Sequence, residues 1–458
     1  MNLDLYRYIY LIGAGGIGMS ALGRYFNSKG KEVYGYDRLK TDLCFDLENE
    51  GIRMHYSDNI SAIPEVIKNA MYHNLLVVYT PAVSCENQIL SFFIDRGIKV
   101  FKRAEVLGSI SDQLFTIAVA GTHGKTTTAT MLAHILKKAG KRTTAFLGGI
   151  SHNYKTNLLL ANSADVLIVE ADEYDRSFLQ IHPDIAIITS VDADHLDIYE
   201  DADDLQLAFK QFVSQIKPKG FLLVEKSIAA DFHIAERLTK LTYSATSRAD
   251  FFTENVRVEN GRMIFDMIAS KEIEKDIELH MPGIHNVSNA VAASAVACYL
   301  GLSFNDVRKG LSTFKGINRR FDKHIDTERL VFIDDYAHHP EEVSATIDAT
   351  KQLYPSRELM VVFQPHLFSR TKDFANEFAI SLEGADDLVL LDIYAAREEP
   401  ITGVDSQMLL ALCNNPKKEV CSKDELLFVL ENKSIDVLLT LGAGDIGSLA
   451  GPIKHMLN

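Results

Sequence analysis

Glycine, a cation and hydroxyls stand together in Gly121-Thr122-His123-Gly124-Lys125-Thr126-Thr127-Thr128, at the spacing of a phosphate-binding turn. Such a turn aims backbone N–H groups and the positive end of a helix dipole at one point, where polyphosphate charge collects. Lys125 is placed to neutralise terminal phosphates and the Thr126 hydroxyl to hold Mg²⁺. The commoner loop, G-x-x-x-x-G-K-[ST], has glycine where this chain has Val119, so the turn here is a tighter G-x-x-G-K-T. The expected ligand is a nucleoside triphosphate with Mg²⁺.

The loop needs a strand before it and a helix after it. Phe115–Ala120 is a short apolar run with branched residues, and Met131, Leu132, Ile135 and Leu136 share one face of a helix ending at Gly140. A second loop of related design lies near the N-terminus. The apolar run Tyr8–Ile12 enters Gly13-Ala14-Gly15-Gly16-Ile17-Gly18, the next helix carries Met19, Leu22 and Phe26 at helical spacing, and the strand Glu32–Tyr36 ends at Asp37. Read alone, G-x-G-x-x-G followed about twenty positions later by an acid is a dinucleotide fingerprint. Any ligand presenting a diphosphate satisfies the same backbone, so NAD and a sugar nucleotide both remain open from these residues.

Polar groups recur directly after apolar runs: Glu170-Ala171-Asp172-Glu173, Asp192-Ala193-Asp194-His195, Asp334-Asp335-Tyr336-Ala337-His338-His339, Gln364-Pro365-His366 and Gly442-Ala443-Gly444-Asp445. Ligands of doubly wound folds bind beyond the carboxyl ends of strands, so these positions are expected to converge on one active site. Glu170 and His195 close successive strands behind the phosphate loop and are expected to serve metal ions. Arg319 and Arg320 fall in a glycine-containing, basic segment, 315–320, read as a hinge; Arg320 is the expected partner of transferring phosphate charge. His285, Asn286 and Asn289 precede and open a helix, where an amide can cap the helix or read a base edge. Tyr336, His338 and Arg370 come from two strand ends and could grip a small zwitterion, with the arginine on its carboxylate.

Bulk properties fit this reading. The chain has 458 residues, 47% hydrophobic and 24% charged, enough for two or three globular domains. Its formal charge of −15 argues against a nucleic-acid partner. No apolar stretch approaches the roughly 18 residues of a spanning helix, and Met1–Arg7 lacks signal-peptide character, so membrane insertion is not expected and the cytoplasm is the expected location. Five scattered cysteines form no C-x-x-C pair and suggest neither disulfide framework nor zinc site. Apolar runs alternating with helical patterns predict three α/β domains with mainly parallel sheets: 1–108 Rossmann-like, 109–316 a central P-loop ATPase-like domain, and 317–458 Rossmann-like again.

Taken together the motifs resemble the Mur ligases over nearly the whole chain. The resemblance rests on Gly15-Gly16-Ile17-Gly18-Met19-Ser20, the loop Gly121–Thr128, Glu170-Ala171-Asp172-Glu173, Gly283-Ile284-His285-Asn286-Val287-Ser288-Asn289-Ala290, Arg319-Arg320-Phe321, Asp335–Pro340 and Gly442–Ile446, in family order. It implies that the first loop, with Asp37, Thr80-Pro81-Ala82, Arg103 and Glu105, holds the diphosphate of a UDP-sugar rather than NAD. It implies ATP bound by Gly121 to Thr127 with Asn286, Asn289, Arg320 and Asp335; metal on Thr126, Glu170 and His195; and catalytic parts for Lys125, His195, Arg320 and His338. The implied substrates are UDP-N-acetylmuramate and L-alanine, joined at the expense of ATP by a monomer or homodimer, with Tyr336, His338 and Arg370 on the amino acid in the C-terminal domain. Ala337 replaces a common glycine and Thr80 a common serine, both small. Where several relatives carry a carbamylated lysine near the second metal, the register puts Phe212, so Lys210 receives no metal role.

Overall fold

The computed structural model describes every residue except Cys85, residues 193–198, Glu200, Lys271 and Arg397. The described chain falls into two compact units: Met1–Phe252 with Ile268–Glu272 and Asn289–Leu311, and Thr253–Met267 with Ile273–Ser288 and Ser312–Asn458.

The first unit holds two sheets. Strands β1 (Tyr8–Ile12), β2 (Glu32–Tyr36), β3 (Arg53–His55), β4 (Leu75–Tyr79) and β5 (Val100–Lys102) lie in the order β3-β2-β1-β4-β5, all parallel. The order reverses at β1, which places the glycine loop at the switch point where a doubly wound sheet opens a crevice. Strands β6 (Thr116–Ala120), β7 (Thr143–Ser151), β8 (Thr156–Leu159), β9 (Val166–Glu170), β10 (Ile185–Ile188), β11 (Phe221–Glu225) and β12 (Thr239–Ser244) follow in the order β12-β11-β10-β6-β9-β7-β8. Their pairings are parallel except that β8 turns back antiparallel on β7. Strands β6, β9 and β10 are apolar along almost their whole length because helices cover both faces of a parallel sheet.

One apolar cluster runs through both sheets of this unit, from Leu11, Leu22 and Phe26 to Phe146, Leu158, Phe178 and Phe209. The helix Ile17–Ser28 packs on the β7–β8 hairpin, with Tyr25 and Phe146 rings 5.6 Å apart. The helix Arg103–Ser111 meets the turn Tyr174–Gln180 at Gly108, where a Cβ would come within 2.2 Å of the Gln180 carbonyl oxygen. In that turn Asp175 and Arg176 both take left-handed backbone, φ 54° and 53°, a strained conformation for residues with side chains.

Strands β13 (Phe251–Glu259), β14 (Arg262–Ala269) and β15 (Glu272–Leu279) belong for most of their length to the second unit, with β14 between the other two. The remaining sheet comprises β16 (Asp322–Asp326), β17 (Val331–Asp335), β18 (Leu359–Phe363), β19 (Asp387–Leu391), β20 (Lys417–Cys421) and β21 (Val437–Leu441), in the order β16-β17-β21-β18-β19-β20. Only β16 is antiparallel in it. One boundary moves from the expected one: the helix expected to open at Asn286 begins at Ile284. The segment read as a hinge contains a tight turn with an Ile317–Arg320 bridge, entered through Gly316 at φ 90°. Among the described residues no helix is long and apolar enough to cross a membrane, and Cys44, Cys298, Cys413 and Cys421 are free thiols.

Candidate active site

Strand β6 delivers the chain into the lysine loop, and two glycines there have no replacement. Gly121 takes φ 134° with the Thr189 hydroxyl 2.0 Å from where a Cβ would stand, and Gly124 takes φ 80° with the Asn289 Oδ1 at 2.5 Å. Gly124 caps the helix Lys125–Lys138, so the loop ends on free helix N–H groups. Neighbouring strand ends hold its shape: the Thr122 and Ser190 hydroxyls are 2.8 Å apart, the His123 N–H donates to Ser190 Oγ at 2.9 Å, and the Asp192 N–H donates to Thr122 Oγ1 at 3.0 Å. Asn289 reaches the same helix, its Oδ1 accepting from Thr128 at 3.2 Å.

The Lys125 ammonium is folded back over its own loop. It donates to the Gly121 carbonyl at 2.6 Å, the Thr122 carbonyl at 3.2 Å and Glu173 at 2.8 Å. Its side chain is 12% exposed and that of Glu173 0%. Burial pulls the lysine pKa down, but Glu173, Asp172 and Glu170 together outweigh it and leave it above the ordinary 10.5. One residue on, the Thr126 hydroxyl sits 2.9 and 3.0 Å from the two oxygens of Glu170 at the end of β9. Room for that pair comes from Gly148 in β7, where a Cβ would fall 1.8 Å from Glu170 Oε2 and 2.7 Å from Thr126 Oγ1. A hydroxyl and a carboxylate converging beside a phosphate loop are the oxygen donors that Mg²⁺ takes, so the residues present fit that ion. His195 lies outside the described residues.

The first glycine loop is built differently. Asp37 accepts the Gly15 N–H at 2.8 Å on one oxygen and the Leu39 N–H at 3.1 Å on the other. The acid that would meet a ribose in a dinucleotide site is therefore engaged in shaping the loop. Gly13 turns at φ 83° against Thr80, and Arg103 lies over Gly18, its guanidinium 2.9 Å from the position of an added Cβ. Arg103 is also 3.9 Å from Asp172. Glu105 closes the start of its own helix by accepting the Lys102 N–H at 2.7 Å. Met19 is packed in the core, and Ser20 is wholly buried with its hydroxyl donating to the Ile17 carbonyl. Gly16 and Ile17 remain on the loop side, with Pro81 and Ala82 in the turn after β4.

The second unit gathers another polar set at the ends of β17, β18 and β21. Asp335 is buried; burial pushes its carboxyl up to about 6, against the lowering effect of Arg320 and of the Phe321 and Ala337 N–H groups it accepts at 2.6 and 2.8 Å. Arg319 is tied to Asp334 at 2.9 Å and to the Gly442 carbonyl, and both it and Arg320 lie over the Tyr336 ring, at 5.3 and 5.1 Å. His338 Nδ1 is 3.0 Å from the Tyr336 carbonyl and 3.3 Å from Glu342, and its ring meets that of His366 at 5.8 Å. Arg370 is 7% exposed, and its charge acts on Tyr336 together with those of Arg320 and Arg319. Asn286 donates to the Pro282 carbonyl at 2.7 Å beside His285, whose imidazole burial pushes down to about 4.

Within the first unit the structure thus brings together Gly121, Thr122, His123, Gly124, Lys125, Thr126, Glu170 and Asn289; Thr127 is buried in the first turn of the same helix. Sequence reasoning assigns no role to Glu173 or Gly148. Glu173 lies in the polar stretch after β9, where strand alternation would favour Asp172 as the second carboxylate on the Glu170 side, and nothing in the sequence marks Gly148.

Three family descriptions cover most of the chain: residues 8–114 match the Mur ligase family catalytic domain, 119–297 the Mur ligase middle domain, and 319–444 the Mur ligase glutamate ligase domain. A UDP-N-acetylmuramate–L-alanine ligase of Parabacteroides distasonis is 47% identical over 100% of this chain and 98% of its own length. The enzyme of the same name from Flavobacterium johnsoniae is 45% identical over 100% and 99%. The crystal structure of the UDP-N-acetylmuramate-alanine ligase of Thermotoga maritima superposes with a TM-score of 0.81 at 27% identity, covering 98% of this chain and 99% of that one.

Proposed function

The chain belongs to the Mur ligase family, a three-domain α/β fold, and from that premise we propose that it joins the amine of L-alanine to the lactyl carboxylate of UDP-N-acetylmuramate at the expense of ATP. The observation that carries this reading is full-length identity of 45–47% to ligases named for that reaction. The product is UDP-N-acetylmuramoyl-L-alanine, a peptidoglycan precursor, made in the cytoplasm where ATP is available. The domains are taken as 1–108, 109–316 and 317–458.

A free carboxylate is a poor electrophile, because its charge is delocalised over both oxygens and it offers an attacking amine no leaving group. Phosphorylation by ATP converts it to an acyl phosphate, which the amine attacks with loss of phosphate. The chain's part is positioning and charge. The N–H groups at the helix start, from Gly124 to Thr127, cradle the polyphosphate while Gly121, Thr122 and His123 shape the loop against Ser190, and Lys125 exchanges Glu173 and the loop carbonyls for phosphate oxygens while keeping its charge. Mg²⁺ held by Thr126 and Glu170 would neutralise charge on the β- and γ-phosphates, and His195 is assigned to a second ion. Arg320 adds charge for the transferring phosphoryl group. The sugar nucleotide's diphosphate lies on the N–H groups of Ile17 and Gly18 at the helix start, with Gly15 and Gly16 shaping the turn beneath it and Arg103 beside it. L-Alanine is assigned to Arg370 through its carboxylate, with Tyr336 and His338 beside it.

The test is isotope transfer. UDP-N-acetylmuramate labelled with ¹⁸O in its carboxylate, turned over with ATP, Mg²⁺ and L-alanine, is expected to leave one labelled oxygen in the released phosphate, with the amide product seen by mass spectrometry. Product without label in phosphate would refute the acyl-phosphate route, and label transfer only with a peptide as amine would refute L-alanine.

A further inference from the structure

Asn157, on β8, lies outside both loops, yet its amide is wholly buried and fully bonded. Its Nδ2 donates to the Ile17 carbonyl at 2.5 Å and to the Ser20 hydroxyl at 2.9 Å, and its Oδ1 accepts from the Arg24 guanidinium. Chemistry fixes which way the amide faces, because a carbonyl can only accept and a guanidinium only donate. The Ser20 proton goes to Ile17 at 2.9 Å, which leaves its oxygen free to accept from Asn157. Arg24 spends its other nitrogens on Glu50, at 2.7 and 2.9 Å, and Glu50 closes the helix Asp42–Asn49.

The two ends of this network belong to different machinery. Ile17 and Ser20 are the first turn of the helix that opens out of the first glycine loop. Asn157 belongs to the hairpin in which Phe146 faces Leu158 and Ser151 faces Thr156. The partner strand of that hairpin carries Gly148, against which Thr126 and Glu170 are set. One hairpin therefore touches both the glycine-loop helix and the carboxylate–hydroxyl pair of the lysine loop. Apolar contacts such as Tyr25 on Phe146 hold helix and hairpin together, but they leave sliding and rotation along the helix axis weakly opposed. Three directional hydrogen bonds to one amide oppose both.

We propose that Asn157 is a positioning residue for ligation: it sets the glycine-loop helix at one axial and rotational position against the β7–β8 hairpin, so that the sugar carboxylate is presented to the phosphate held at the lysine loop. It acts through Ile17 and Ser20 and touches no reactant. The inference rests on the assignment of the two loops to UDP-N-acetylmuramate and ATP. In-line transfer needs reacting atoms about 3–3.5 Å apart, and a displacement of about 1 Å caused at a distance can cost 10²-fold in rate.

The test uses Asn157→Asp in the full-length enzyme, with Arg24→Met as a second variant. The aspartate keeps the acceptor for Arg24 but has no donor for Ile17 or Ser20. Steady-state kinetics at a temperature where the variant is fully folded are expected to show kcat lowered by about 10- to 100-fold. KM for ATP and L-alanine, and the calorimetric Kd for UDP-N-acetylmuramate, should change by less than about threefold. Arg24→Met, which frees only the Oδ1 side, should lower kcat in the same direction by a smaller factor. Unchanged kcat in both variants would overturn the proposal. So would a loss seen only in the Kd for the sugar nucleotide, which would make Asn157 part of the loop's own shape, or an activity loss that tracks the unfolded fraction. If Asn157→Asp does not fold, the kcat–KM split in Arg24→Met decides. Failure of the wild-type enzyme to bind UDP-N-acetylmuramate would instead remove the loop assignment, and this inference with it.

Discussion

The two glycine loops of the first unit share a strand, a tight turn and a helix start, yet they handle charge in opposite ways. The lysine loop carries its own cation and keeps it neutralised by a buried carboxylate, with a second carboxylate paired to a hydroxyl alongside. The N-terminal loop has no cation of its own; Asp37 braces it from within, and Arg103 comes to it from a separate helix. A backbone cradle sets where phosphate sits, and the surrounding side chains set how much charge it can take and whether a metal comes with it. A triphosphate to be broken calls for the first arrangement, a diphosphate only to be held for the second.

Lys125→Met strikes this contrast hardest. Turnover should fall by about 10²–10³-fold or more while UDP-N-acetylmuramate binding survives, read by calorimetry beside steady-state rates. The same change leaves Glu173 buried without its cation, so stability in urea should drop by about 3 kcal/mol and recover in part on adding Glu173→Gln. Loss of sugar-nucleotide binding in the folded variant would erase the division between the loops.

Gly148→Ala should come next. The added methyl has no space beside Glu170 and Thr126, so the Mg²⁺ concentration for half-maximal activity should rise by about 10- to 100-fold with sugar-nucleotide affinity unaffected. An unaltered Mg²⁺ titration would detach the Thr126–Glu170 pair from metal binding. Arg103→Met is the mirror experiment: KM for UDP-N-acetylmuramate should rise about tenfold, near 1.4 kcal/mol, and KM for ATP should hold. A matching rise for ATP would count against a sugar-nucleotide role.

The smallest expected effect is on pH dependence. The Lys125 pKa is raised on folding, so its charge contributes stability in full below the unfolded value of 10.5, and that contribution fades only as pH climbs through the higher folded value. The difference in unfolding free energy between wild type and Lys125→Met should therefore show no decline from about pH 7 to 10. A decline within that range would mean that desolvation outweighs the carboxylates.

The apolar strands are legible in the sequence because parallel sheets buried on both faces leave uninterrupted runs. Tyr8–Ile12, Ile185–Ile188, Leu359–Phe363 and Val437–Leu441 fall where the runs lie. Strands β13 and β15 escape that reading because they carry charge along their length, as in Glu272-Ile273-Glu274-Lys275-Asp276, and satisfy their backbone laterally rather than by burial. Strand β7 is disguised by its two glycines, needed for space rather than for a turn. The loops' glycines and Lys125 are legible because each has a spacing-dependent task. Asp37 is visible as an acid at the right distance, but its actual partner, the Gly15 N–H, depends on how the following turn folds. Asn157 carries no local signal at all, since its partners lie 137 and 140 residues away.

The antiparallel β8 has a consequence for the chain's behaviour in isolation. It is the last strand of its sheet, and such a rim offers unpaired backbone groups to any passing chain. The helix Ile17–Ser28 shields it, so the N-terminal module doubles as a guard against self-association. A fragment beginning near residue 109 would expose that rim and should oligomerise or precipitate, even with its nucleotide loop intact.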